Sequence, residues 1–146
     1  MGAEGMTAHP IRIVQLPGRL IVRWNGHTVA GTSRAVILFE ASYPGVPYIP
    51  KEDVDKTLLE RMTHKTRCPF KGEASYYSLV SPGDTARNAV WTYENPFPVA
   101  APIAGFLAFD PRYVVVHRHS IALAIPERAG ISARSTSISK LAPEAE

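Results

Sequence analysis

The pattern of apolar and polar positions predicts a chain made mostly of β-strands. In "RLIVRWNGHTVAG", apolar positions two apart lead to Asn25-Gly26, a pair that suits the two positive-φ positions of a type I′ turn. This stretch therefore predicts a β-hairpin. The next apolar run, residues 35–39, is continuous and rich in β-branched side chains, which is typical of a strand covered on both faces. Glu40 follows where that strand ends.

A second hairpin is predicted further along the chain. "GEASYYSLV" and "NAVWTYE" have strand composition, and "SPGDTAR" between them contains turn residues. The proline-rich segment "NPFPVAAPIAG" predicts a compact crossing, after which "FLAFDP" and "RYVVVHR" predict two more strands. Prolines around Tyr48 limit any strand there to a short one at a sheet edge.

One segment has helical character. Acidic residues crowd the start of "KEDVDKTLLERM", residues 51–62, and apolar residues recur in it at helical spacing. It predicts a short helix or helical turn. The fold class is thus mainly β, a single compact antiparallel β-barrel or folded sheet with one short helix. We expect an N-terminal extension over residues 1–10, one β-rich domain over 11–118, and a flexible C-terminal tail over 119–146.

Composition and charge narrow the choice of partners. The formal charge is only +3, and the 16 Lys and Arg residues are scattered, whereas nucleic-acid-binding proteins cluster their cations. We expect no nucleic-acid partner. The single cysteine, Cys68, excludes an internal disulfide and a thiolate zinc site, and we expect no metal and no cofactor. Without a long apolar run or a signal-peptide pattern, the chain is expected to be cytoplasmic and not membrane-bound.

Four stretches occur together in a familiar order and spacing. They are "VRWNGHTVAGTSRA", "YIPKEDV", "TRCPFKGEASYYSL" and "AVWTYENPFPVAAPIAGFLAFDP". In these stretches the chain resembles the domain of unknown function 427 family, which is sometimes labelled nucleotidyltransferase-like. The resemblance implies a small, mainly β, single-domain protein and no particular activity.

Nucleotidyl transfer is the least favoured interpretation of the residues themselves. That chemistry requires carboxylates that hold divalent metal ions, often as a D-x-D pair on a strand with Gly-Ser nearby. Asp53 and Asp55 have this spacing, but they lie at the predicted helix start, where acids stabilise the helix dipole. No Gly-Ser pair precedes them.

Most chemically versatile side chains fall between residues 64 and 94. Cys68, flanked by Arg67 and Lys71, is either a nucleophilic thiolate or a buried structural cysteine. Lys71 and Gly72 are either an anion contact or a bend into a strand with a solvated lysine.

Glu73, Glu40 and Glu94 are the candidate acid–base groups. A carboxylate beside aromatic rings loses solvation, which raises its pKa and makes it a useful proton carrier. The alternative is a strand-end glutamate paired with Arg34, Arg23 or Lys71. The candidate ligand-binding residues are Lys71, Gly72 and Arg34, with Tyr48, Tyr76, Trp91 and Tyr93 as the aromatic walls.

Two functions are consistent with these residues. The first is an uncharacterised domain that binds a small anionic or polar ligand, with non-redox acid–base catalysis as an extension. Its site would lie where the 68–73 loop meets residues 91–93 and the 98–105 crossing. The alternative is a non-catalytic binding or interaction module, consistent with a homodimer, in which the same aromatics only pack the sheet.

Overall fold

The computed structural model describes residues 10–119 and the backbone of Ser135–Ser137. Its strands are β1 (Ile11–Gln15), β2 (Arg19–Trp24), β3 (His27–Thr32), β4 (Val36–Glu40), β5 (Val46–Tyr48), β6 (Leu59–Cys68), β7 (Gly72–Ser81), β8 (Asp84–Thr92), β9 (Leu107–Phe109), β10 (Val115–His119) and β11 (Ser135–Ser137). They form three antiparallel sheets with the strand orders β1-β4-β5, β11-β10-β2-β3 and β6-β7-β8-β9. The mainly β prediction is confirmed, in the form of folded sheets and without a closed barrel among the described residues.

Local turn chemistry places both predicted hairpins. Asn25 and Gly26 have φ values of +48° and +82°, as a type I′ turn between β2 and β3 requires. In the second hairpin, β7 ends at Ser81 and β8 begins at Asp84. Both strands therefore extend further towards the tight turn than predicted. Register pairs Tyr76 with Trp91 across this hairpin.

Within residues 10–119, the helical segments are short 3₁₀ turns, which are Lys51–Asp53, Lys56–Leu58 and Pro98–Ile103. The predicted helical turn after Pro50 is therefore present, but it ends at Leu58, and Leu59 begins β6. This strand is at a sheet edge, is mostly exposed, and has a bulge between Arg61 and Lys65. Those features remove the two-residue apolar alternation by which a strand is recognised in sequence.

The β6-β7-β8-β9 sheet is covered on both faces. On one face Tyr77 and Leu79 of β7 join a core cluster with β2, β3 and β10. On the other face Tyr76 joins a second core cluster with β4, β5 and the Pro98–Ile103 segment. Neighbouring residues of β4, Ile37 and Leu38, belong to the first and second cluster respectively. This confirms that β4 is covered on both faces.

The chain ends lie largely outside the described residues. Of the predicted tail, Ser135–Ser137 pairs with β10 as β11, while residues 1–9, 120–134 and 138–146 are not described. The domain boundaries and the cytoplasmic location stay predictions. In the described part of the chain, the helices are too short and polar for any of them to traverse a bilayer.

Candidate functional site

A buried ion pair joins two of the sheets. Glu40 ends β4, and Lys71 lies in the turn before β7; the Lys71 Nζ donates a hydrogen bond to the Glu40 Oε1. Only 9% of the Lys71 side chain and 19% of the Glu40 side chain is exposed. The lysine is therefore not solvated, and it is the cation, of the three predicted for a strand-end glutamate, that forms an ion pair with Glu40.

The turn that carries Lys71 is held by backbone contacts. Gly72 has φ of +117°, a conformation that side-chain-bearing residues rarely adopt, so this bend requires glycine. A Cβ there would lie 3.5 Å from the Asn95 carbonyl oxygen, which is ordinary contact. The Phe97 N–H donates to the Lys71 carbonyl oxygen at 2.9 Å. The segment after β8 therefore fixes the position of the lysine.

Aromatic side chains surround the buried end of the pair. The Lys71 Nζ lies 5.6 Å from the centre of the Tyr93 ring, within cation–π range. The Trp91 Nε1 donates to the Tyr48 hydroxyl at 3.1 Å. Tyr93 and Tyr48 are almost fully buried, and both belong to the second core cluster with Trp91 packed against it. Of the four aromatic residues predicted to line the site, Tyr48, Trp91 and Tyr93 therefore lie beside the ion pair or on the strands next to it.

Tyr76 and Cys68 belong to the same cluster. The Tyr76 hydroxyl lies 2.9 Å from the Thr66 Oγ1, and its ring lies 4.6 Å from the ring of His64. Cys68 is partly buried against this cluster at the end of β6. The thiol thus packs partly against apolar side chains, and its role, nucleophilic or structural, stays a prediction.

Three exposed aromatic residues are linked to the residues of the ion pair through the backbone. Tyr43 donates its backbone N–H to the Glu40 carbonyl oxygen, Phe70 precedes Lys71, and Phe97 bonds to it as described. Their exposed fractions are 54%, 37% and 37%. We call Tyr43, Phe70 and Phe97 the aromatic rim. Sequence analysis missed the rim; its only signal is that each member has a proline beside it in the sequence.

Comparison with known families gives one match. The model of a domain of unknown function, DUF427, matches residues 12–119, which include the ion pair, its aromatic surroundings and the rim. The chain belongs to this family. The resemblance noted in the sequence is thereby confirmed. No curated protein matches the chain.

Two predicted site residues of this DUF427 domain lie elsewhere. Glu73 is exposed and pairs in register with Arg67. Strand alternation puts it on the face of β7 opposite to that of Tyr76. Arg34 precedes β4 and lies six residues before Glu40, which at ~3.3 Å per residue of strand is about 20 Å along the chain. It donates instead to Glu52 at 3.0 Å and to Asp53 at 3.3 Å. Of the three candidate acid–base glutamates, only Glu40 forms an ion pair with Lys71.

A separate polar group occupies the Glu73 face of the same sheet. Arg61 donates two hydrogen bonds to Glu94, at 3.0 and 3.1 Å, and a third to the Tyr77 hydroxyl at 3.1 Å. The bonds from Arg61 hold the pKa of Glu94 below its usual range. Glu94 is thereby kept ionised, which is the opposite of what a proton carrier near neutrality requires.

The D-x-D spacing in the DUF427 domain has a structural explanation. Asp53 accepts a hydrogen bond from the Thr32 Oγ1 at 2.7 Å, in addition to its bond from Arg34. Asp55 caps the Lys56–Leu58 turn by accepting from the Thr57 N–H at 3.0 Å, and the hydrogen bonds from Thr57 lower its pKa. Among the residues described, no three His, Cys, Asp or Glu side chains are grouped so that they could hold a metal ion.

Proposed function

We propose that this DUF427 domain binds a small polar ligand at the Glu40–Lys71 pair. The observation that carries the proposal is the low exposure of the pair, in which Lys71 is buried beside Tyr93 and Glu40 is partly buried. A buried ion pair is often no more stabilising than apolar residues of the same volume, because both groups lose hydration. Its presence is therefore better explained by a ligand that uses the charges than by stability alone.

The neighbouring groups supply ligand-binding chemistry. Lys71 offers ammonium N–H donors and Glu40 offers carboxylate acceptors, while the hydrogen-bonded Tyr48 and Trp91 place polar atoms inside an aromatic cluster. This mixture of apolar surface and a few directed polar groups is typical of small-molecule sites. A reaction at this site would be a proton transfer or a hydrolysis with Glu40 as the proton carrier.

The aromatic rim supports a second candidate, an interaction module. Its three members are exposed aromatic residues that are linked through the backbone to Glu40 or Lys71, and exposed aromatic side chains are enriched in protein–protein interfaces. In that case a second copy of the chain would cover Tyr43, Phe70 and Phe97. Light scattering after size exclusion tests this, because a dimer should dissociate in the variant Phe70→Ser/Phe97→Ser.

The ligand proposal is tested by thermal-shift screening of the full chain against nucleotides, organic acids, amines and amino acids. A ligand should raise the melting temperature of the wild type and not that of Glu40→Gln/Lys71→Met. The matched control is Glu52→Gln/Arg34→Met, which makes the same kind of change in an ion pair with side chains 66% and 58% exposed. A flat response of the wild type across the whole panel would refute the proposal.

A further inference from the structure

Independently of the Glu40–Lys71 pair, we propose that the other face of the β6-β7-β8-β9 sheet, the one that carries Glu73, binds an oxyanion of a small molecule. The starting observation is a buried polar atom without a partner. Only 1% of Thr92 is exposed, and its Oγ1 makes no hydrogen bond to any described residue. Burying a hydroxyl in this way costs stability, so most such groups are hydrogen-bonded. A bound ligand would supply the missing partner.

Thr92 belongs to a row of polar side chains that crosses the sheet. Register pairs Lys65 of β6 with Ser75 of β7, and Ser75 with Thr92 of β8. Residues directly opposite each other in antiparallel strands point to the same face, with Cβ atoms about 4.5–5.5 Å apart. The Lys65 Nζ donates to the Ser75 Oγ at 2.9 Å, and Ser75 is only 4% exposed. We call Lys65, Ser75 and Thr92 the polar row; it combines one cation with two buried hydroxyls.

The hydroxyls of this face have hydrogens left to donate. The Ser75 Oγ accepts from Lys65, and the Tyr77 hydroxyl accepts from Arg61 at 3.1 Å. Within the described part of the chain, neither hydroxyl donates to another residue, and a hydroxyl that accepts keeps its own hydrogen for a further acceptor. With the Thr92 hydroxyl and the remaining N–H groups of Lys65, they form a set of donors. Such a set suits the lone pairs of an oxyanion.

The Glu94 carboxylate is placed where it can exchange with that oxyanion. Glu94 follows Thr92 by two residues and therefore lies on the same face, while Arg61 lies opposite Tyr77 in register. Their two hydrogen bonds, at 3.0 and 3.1 Å, thus connect positions on either side of the polar row. The two side chains are 46% and 40% exposed, so water can hydrate the carboxylate when a ligand takes its place at Arg61.

The charges around the polar row favour an anion. The pKa of Glu94 is lowered first by the hydrogen bonds from its arginine partner, and the positive charges of Lys51 and Lys65 contribute further. Three cations therefore act on one carboxylate. The next pair in register, Arg67 opposite Glu73, adds one charge of each sign. The local excess of positive charge attracts anions and repels cations.

Titration calorimetry of the full-length protein at pH 7 and low salt tests the site with three probes that share a benzene ring: phenyl phosphate, benzoate and benzylamine. We expect both anions to bind and the amine not to bind. The tighter of the two anions identifies the oxyanion as a phosphate or a carboxylate. Glu94→Gln removes the competing charge and should tighten anion binding by about two- to fivefold.

Thr92→Val separates a ligand-binding role from a structural one. It removes the unpartnered hydroxyl and nearly keeps the shape, so the urea midpoint should not fall below that of the wild type, whereas the affinity for the tighter anion should fall by about tenfold. The matched control is Ser78→Ala, which removes a buried hydroxyl from the opposite face of β7 and should leave the affinity unchanged. If Thr92→Val fails to fold, Ser75→Ala serves instead.

The inference is overturned if neither anion binds, if benzylamine binds as tightly as the anions, or if Glu94→Gln weakens anion binding. Wild-type affinity in Thr92→Val would also overturn it, because the hydroxyl then holds at most a water molecule. The variant Glu40→Gln/Lys71→Met should keep the anion affinity. Loss of binding in that variant would assign the anion to the Glu40–Lys71 site and would likewise overturn the second site.

Discussion

Replacing Lys71 by methionine should reveal how strongly the structure depends on the buried pair. The substitution keeps most of the side-chain volume but removes the ammonium group that donates to the Glu40 carboxylate, whose side chain is 19% exposed. Removing one partner of a buried pair costs about 3–5 kcal/mol of unfolding free energy. The carboxylate can become neutral by taking up a proton. For a group with a reference pKa of ~4.3, protonation at pH 7 costs about 3.7 kcal/mol, so the electrostatic loss cannot exceed that value. We therefore expect a loss of about 2–4 kcal/mol.

The same limit gives the pH dependence of the loss. An unpaired buried carboxyl holds its proton more tightly when folded than when unfolded, so its unfavourable contribution grows as pH rises above ~4.3. At pH 5 the limit falls to about 1 kcal/mol. The stability of Lys71→Met relative to wild type should thus improve as pH decreases from 7 to 5.

Urea denaturation followed by far-ultraviolet circular dichroism at pH 5, 6 and 7 measures these differences for the wild type, Lys71→Met, Glu40→Gln and the double variant. In the double variant no charge is left unpaired, so its loss should be smaller than the sum of the single losses by about 2 kcal/mol. Single losses below about 1 kcal/mol at pH 7, or losses independent of pH, would show that the pair behaves like a solvated one. The burial argument for a ligand site would then be wrong.

Three other changes test separate contacts. Gly72→Ala should destabilise the fold by about 1–3 kcal/mol in urea denaturation through its positive φ alone, since the nearest atoms leave room for a Cβ; an unchanged midpoint would contradict this. Tyr48→Phe removes the acceptor of the Trp91 indole and should cost about 1 kcal/mol with a shift in indole fluorescence, whereas identical spectra would argue against the bond. Arg61→Met removes the cation that lowers the pKa of Glu94, so its loss of at most ~1 kcal/mol should be present at pH 7 and shrink as pH falls below the usual glutamate range of ~4.3 and Glu94 takes up a proton; a loss that does not change with pH would assign the effect to packing.

The parts of the fold that sequence predicts well depend on neighbouring residues. The two residues Asn25 and Gly26 are enough to predict the turn between β2 and β3. The apolar run of β4 predicts burial on both faces, even though the sequence does not show which strands pair with it. The division into three sheets depends on contacts far apart in the chain, such as β1 with β4 and β10 with β2. Strand β6 was missed for the same reason, since pairing with β7, and not its own composition, makes it a strand.

The candidate site shows a similar division. The aromatic residues and Glu40 were found from residue type and strand position, but the sequence offered three cations as partners for Glu40. Lys71, 31 residues away, is chosen by how the turn before β7 meets the end of β4. Glu73 was included because it follows the same turn, and the alternation of side chains along β7 separates it from Glu40.

The burial of Lys71 changes what the turn before β7 can do. A solvated lysine beside a glycine would attract anions in general, and its affinity would depend on salt. A ligand of the proposed kind would meet a lysine that already donates to Glu40, so it would have to replace or share that hydrogen bond. Because the two partners belong to different sheets, a bound ligand would also replace a direct link between β4 and the turn before β7 with one through itself.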